Sequence, residues 1–133
     1  MYTASCLCGA VELHLLVDQL NPINVCHCKQ CQKAQGGGFA AIIQIELKKL
    51  KIVKGQHSLK SYFATEDKKR VFCENCGSPI YSARINLPDI VRLRVGLINE
   101  DIDVDICSHA YVNNKAKWDR ICDNAIQYGD AML

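Results

Sequence analysis

Apolar and polar residues alternate along the chain in short stretches. Val11-Glu12-Leu13-His14-Leu15 predicts a half-buried strand with His14 on its polar face. Phe39-Ala40-Ala41-Ile42-Ile43-Gln44-Ile45 predicts a buried strand. From Leu47 to Val53, lysines 48, 49 and 51 are interspersed with Leu50, Ile52 and Val53, and Lys54 follows. This reads as a strand with a solvated face, ended by Gly55. Leu59–Phe63, Pro79–Arg84 and Ile90–Val95 are further strands, with a polar hairpin turn over Glu66–Arg70. Arg92 and Arg94 share one polar face, which is either solvated or the wall of a substrate cleft. Gln32–Gln35 predicts a helical turn, broken by Gly36-Gly37-Gly38. Those glycines are either a connector or flexible backbone able to approach a ligand and offer N–H groups to an anion. Asn99–Asp105 reads as a loop, and the tail beyond Asp119 as at most a short helix. Many short strands separated by turn residues predict an all-β sandwich or tent, with residues 1–133 forming one domain.

Composition narrows the function. A net charge of +2 gives no footprint for nucleic acid or an anionic membrane. No apolar run approaches the length of a membrane span. Nine cysteines are the one strong deviation. The chain starts directly into a cysteine motif without a basic, apolar leader, and its cysteines cluster at ligand spacings. We therefore expect bound metal rather than disulfides, and a reducing, cytoplasmic setting.

Three motifs carry that chemistry. Cys26-His27-Cys28-Lys29-Gln30-Cys31 can aim three thiolates at one soft divalent ion. No fourth Cys or His follows at ligand spacing, and three protein ligands are the mark of a reactive rather than a structural zinc site. His27 lies between two ligands and is expected to point away from the metal. The other motifs are Ser5-Cys6-Leu7-Cys8-Gly9 and Phe72-Cys73-Glu74-Asn75-Cys76-Gly77. Spacing alone does not settle the partnership: Cys73/Cys76 could pair with Cys28/Cys31 or with Cys6/Cys8. The second choice uses every clustered thiol and is preferred. Strand-forming flanks and the nearby Pro79 speak against a redox role for Cys73/Cys76. Cys107 and Cys122 have no partner at ligand spacing and are expected to be buried inert thiols, with Cys107 as an alternative exchangeable ligand.

In this order, the three motifs resemble the glutathione-dependent formaldehyde-activating enzyme family, from about Ser5 to Trp118. His109 and Trp118 also resemble that family's C-terminal strand pattern. The resemblance implies a zinc-bearing β fold of the Mss-four-like type with two zinc ions. Cys6, Cys8, Cys73 and Cys76 match the structural zinc ligands; Cys26, Cys28 and Cys31 match the catalytic ones. It further implies a carbon–sulfur lyase activity on glutathione or another small thiol and an aldehyde. A substrate thiol would be the fourth ligand, since zinc deprotonates a coordinating thiol. His109 is the candidate that protonates the developing alkoxide, because imidazole titrates near neutrality. Arg92 or Arg94 could bind a substrate carboxylate. The competing reading is a non-catalytic zinc module that binds a protein partner. A methionine sulfoxide reductase would need a free nucleophilic Cys, and Ile106-Cys107-Ser108-His109 does not look like that family's motif.

Overall fold

The computed structural model describes residues 1–132. Contacts gather them into two compact units, residues 1–21 with 43–102, and residues 22–42 with those from 103 onward.

The first unit holds β1 (Tyr2–Ser5), β2 (Glu12–Leu15), β5 (Leu50–Lys54), β6 (Leu59–Phe63), β7 (Lys68–Cys73), β8 (Pro79–Arg84) and β9 (Leu87–Arg94). Its strands run in the orders β1-β2-β5 and β9-β8-β7-β6. In the first set Leu13 pairs with Ile52 and Leu15 with Leu50, so the alternating apolar positions share one face. Leu13, Leu15, Val11, Ile43, Ile80, Val91 and Leu93 are almost wholly buried. Each such side chain contributes about 1.5–3 kcal/mol of burial free energy. Gly55 ends β5 at φ +83°, and a Cβ there would stand 2.0 Å from the Ala10 carbonyl oxygen. Only glycine fits that close approach.

The second unit holds β3 (Ile23–Cys26), the start of β4 (Ala40–Glu46), β10 (Ile106–Ala110), β11 (Ile126–Gln127) and α1 (Lys29–Gln35). Strand order is β11-β10-β3-β4. β10 lies parallel to both β3 and β11, and β3 pairs antiparallel with β4. β3 therefore delivers the chain to the edge of α1 beside the end of β10.

The all-β fold class holds, with several local differences. The lysine-rich stretch begins as a 3-10 turn over Leu47–Lys49 before β5 forms. Lys68–Arg70 belong to β7 rather than to the hairpin turn. The helix starts three residues earlier than the pattern predicts and takes in Cys31. The tail forms the short strand β11 instead of a helix, pairing Ile126 with Ser108 and Gln127 with His109. Arg94 is not on a solvated face: it is buried, and its Nη1 donates to Ser82 Oγ (3.2 Å) and to the Arg92 carbonyl (3.0 Å).

Candidate functional site

All nine cysteines are free thiols. Cys6 and Cys8 lie in the β1–β2 connection, Cys73 ends β7, and Cys76 sits in the turn before β8. Their four Sγ atoms lie within 4.8 Å of one another. Cys6 Sγ is 3.6 Å from Cys8 Sγ, which is 3.9 Å from Cys73 Sγ. Sulfurs around a tetrahedral zinc at the usual Zn–S length stand about 3.8 Å apart, whereas disulfide sulfurs stand about 2.05 Å apart. The spacing fits a metal and excludes a disulfide. The protein also pre-forms thiolate character here. The Ser78 hydroxyl and N–H hold the Cys76 thiol down at about 5, and the Asn75 side-chain amide lowers Cys8. Burial pushes Cys73 up to about 11, so that sulfur needs a cation to lose its proton.

The second group is Cys26, Cys28 and Cys31, again within 4.8 Å of one another. Cys26 ends β3, Cys28 is the N-cap of α1, and Cys31 lies in its first turn. Cys28 Sγ accepts from the Cys31 N–H at 3.3 Å, so one sulfur both caps the helix and faces its companions. Ala40 and Ile42 pack against the three. Hydrogen bonding with Cys28, then with Cys31, and then burial push the Cys26 thiol well above the ordinary range. Three crowded sulfurs in an apolar wall suit a divalent cation. Among the described residues no fourth Cys, His, Asp or Glu atom joins this group.

From the same segment, His27 begins a buried pair of imidazoles. His27 Nε2 and His109 Nδ1 are 2.8 Å apart, and His109 Nε2 lies 3.0 and 3.1 Å from the two Asp123 carboxylate oxygens. The rings are 1% and 4% exposed. The Ala125 N–H, then His109, hold Asp123 below the usual carboxylate range, so it only accepts. His109 Nε2 therefore carries a hydrogen toward Asp123, and one hydrogen is shared between His27 Nε2 and His109 Nδ1. Burial, then His109, lowers the His27 pKa, consistent with a neutral ring. The nearest carboxylate oxygen, Asp119 Oδ2, lies 3.7 Å from His27 Nδ1, and neither atom has a hydrogen-bond partner among the described residues. Gln32 fixes the segment by donating from Nε2 to the carbonyls of His27 (2.8 Å) and Asn114 (3.0 Å).

A protein-family model described as "Glutathione-dependent formaldehyde-activating enzyme" matches residues 1–114. The chain belongs to that family. It is 26% identical over 110 residues to an uncharacterized lyase of Schizosaccharomyces pombe, spanning 80% of this chain and 77% of the relative. It is similar to a protein of Rhodobacter sphaeroides of known crystal structure, with a TM-score of 0.63 and 26% identity over 78% of this chain and 98% of that one. This structural likeness bears out the expected fold class.

The seven motif cysteines thus lie in two groups, the arrangement preferred among those that spacing alone left open. Other expectations change. Cys107 and Cys122 are exposed rather than buried, and Cys107 accepts from Asn24 Nδ2 at 3.2 Å instead of joining the three sulfurs. Two of the three glycine N–H groups, those of Gly36 and Gly37, donate to the Gln32 carbonyl and close α1. Trp118 stands in a turn, 74% exposed, rather than on a strand. Sequence reasoning passed over His27 as a chemical group, and missed Asp119 and Asp123 entirely. Asp119 and Asp123 follow His109 at no motif spacing, so nothing in the sequence marked them.

Proposed function

We propose that Cys26, Cys28 and Cys31 hold the metal of a carbon–sulfur lyase acting on the adduct of a small thiol, such as glutathione, with an aldehyde. The observation that carries this reading is the set of three protein sulfurs, rather than four, among the described residues; His27, between two of them in the chain, is hydrogen-bonded to the buried His109. Family membership and the lyase named in Schizosaccharomyces pombe support it. When bound there, zinc would supply the positive charge that keeps a substrate sulfur in its thiolate form. Cys6, Cys8, Cys73 and Cys76 would hold a second, structural zinc. The nine free thiols fit a reducing, cytoplasmic setting.

The chain's own residues handle the proton. As the C–S bond of the adduct breaks, its hydroxyl must lose a proton; in the forming direction the alkoxide must gain one. His109 is the group proposed to carry it, with Asp123 stabilising the resulting imidazolium.

The test uses protein loaded with cobalt in place of zinc at the three-sulfur group. Glutathione should saturably add a thiolate-to-metal absorption band, and an adduct of glutathione with formaldehyde should be cleaved catalytically. A silent titration removes glutathione as the thiol. Absence of turnover with every thiol–aldehyde adduct returns the protein to the non-catalytic, partner-binding module.

A further inference from the structure

Gln32 follows Cys31 in α1, and its side-chain amide nitrogen is bonded twice. One hydrogen goes to the His27 carbonyl at 2.8 Å, the other to the Asn114 carbonyl at 3.0 Å. The amide has only this orientation, because turned over it would set its oxygen against two carbonyl oxygens. Its oxygen faces Lys29 Nζ instead, at 3.4 Å. The His27 carbonyl belongs to the peptide plane that leads into Cys28, so fixing it limits where the Cys28 sulfur can stand. The other side of His27 is held too, its N–H donating to the Ala110 carbonyl at 3.0 Å. Asn114 is a firm anchor for the second bond. The N–H groups of Tyr111, Val112 and Asn113 just before it donate to the carbonyls of Asp130, Tyr128 and Gly129, at 2.8, 3.0 and 3.0 Å.

We infer that Gln32 is a positioning residue of the three-sulfur group: its two N–H donors hold the turn between Cys26 and Cys28 in the shape that lets the sulfurs converge on a metal. This rests on the reading that Cys26, Cys28 and Cys31 hold one. Gln32 acts through the His27 carbonyl, not by touching the ion. Glutamine, glutamate, methionine and lysine have similar helix propensities, so exchanging them leaves α1 little affected. A glutamate near the helix start and near a cation would be favoured by the helix dipole and by attraction to the metal, and a lysine disfavoured. Hydrogen donation ranks the two the other way. Lysine still offers hydrogens to both carbonyls, whereas glutamate and methionine offer none.

The experiment measures cobalt affinity at the three-sulfur group of the full chain, with zinc kept at Cys6, Cys8, Cys73 and Cys76. Chelator competition is followed on the thiolate-to-cobalt absorption band. Gln32→Met and Gln32→Glu should bind cobalt about 10–100-fold more weakly than wild type and with a shifted ligand-field band. Gln32→Lys should stay close to wild type in both. Far-UV circular dichroism and the zinc of the four-sulfur group should be unchanged in all three. Wild-type affinity in Gln32→Met, or tighter binding in Gln32→Glu than in Gln32→Lys, overturns the inference. So does loss of α1 together with both ions, which would make Gln32 a support of the fold alone. Failure of the wild type to bind cobalt at the three sulfurs would instead sink the metal reading. The bracket is also read without metal, by nitrogen-15 NMR: the two side-chain amide hydrogens of Gln32 should exchange with water more slowly than those of the exposed Gln56. Equal exchange overturns it.

Discussion

At the scale of single residues, polar groups of low sequence signal do specific work. Glu100 accepts from the Thr3 N–H at 2.7 Å and from the Thr3 hydroxyl at 2.6 Å. It fastens β1, a four-residue strand that the hydrophobic pattern does not reveal. The Thr3 hydroxyl, then the Thr3 N–H, lower the Glu100 pKa. A carboxylate whose pKa is lower in the folded than in the unfolded state stabilises the fold above its unfolded value, near pH 4.3. That contribution fades as pH falls through the folded value. Glu100→Gln should therefore unfold at lower denaturant concentration than wild type at pH 7, and the two midpoints should converge as pH drops below about 4. A gap between the midpoints that persists unchanged into acid would show that charge is not what the two Thr3 bonds recognise. The residues His27, Asp119 and Asp123 teach the same lesson at the site. Cysteine spacing is a local code because three ligands must converge within one turn. A hydrogen bond between His27 and His109 is a product of parallel pairing between β3 and β10, which no local pattern records.

Secondary-structure elements show which parts of the fold a sequence can specify. β6 and β8 match their predicted limits because alternation and flanking turn residues agree there. β11 was illegible since two residues carry no periodicity, and it exists through pairing with β10. α1 was underestimated because Cys28 at its cap and Cys31 in its first turn, residues with no strong helix signal, flank Lys29 and Gln30. That turn uses Cys28 twice, as cap and as one of the three grouped sulfurs proposed to hold a metal. The two duties separate on substitution. Serine is a favoured N-cap, so Cys28→Ser should keep the hydrogen bond to the Cys31 N–H and keep α1. It should lose about one of two equivalents of zinc while far-UV circular dichroism stays as in wild type. Loss of all metal together with unfolding would mean that the three sulfurs are part of a single structural site.

On the scale of the whole molecule, the two sulfur groups fall in different compact units, and they close the chain differently. Cys26, Cys28 and Cys31 are a local set spanning one strand end and one helical turn. Cys6 and Cys8 instead meet Cys73 and Cys76, so a metal there would close a long loop, 65 residues from Cys8 to Cys73. Closing such a loop removes conformational entropy from the unfolded chain, and structural zinc binding releases about 10–16 kcal/mol at neutral pH. That is as large as the whole stability of an ordinary domain, about 5–15 kcal/mol. Metal removal should consequently proceed in two stages. A chelator should first take the ion held by three sulfurs, whose coordination the protein does not complete, with little change in circular dichroism. Only at higher chelator concentration should the second ion leave, and amide protection across β1, β2 and β5–β8 should collapse with it. Cys76→Ser should reproduce that collapse without chelator, whereas Cys31→Ser should not. Simultaneous loss of both ions, or early loss of protection in the first unit while the three-sulfur group stays loaded, would contradict this division of labour between a sealed anchor and a reactive centre.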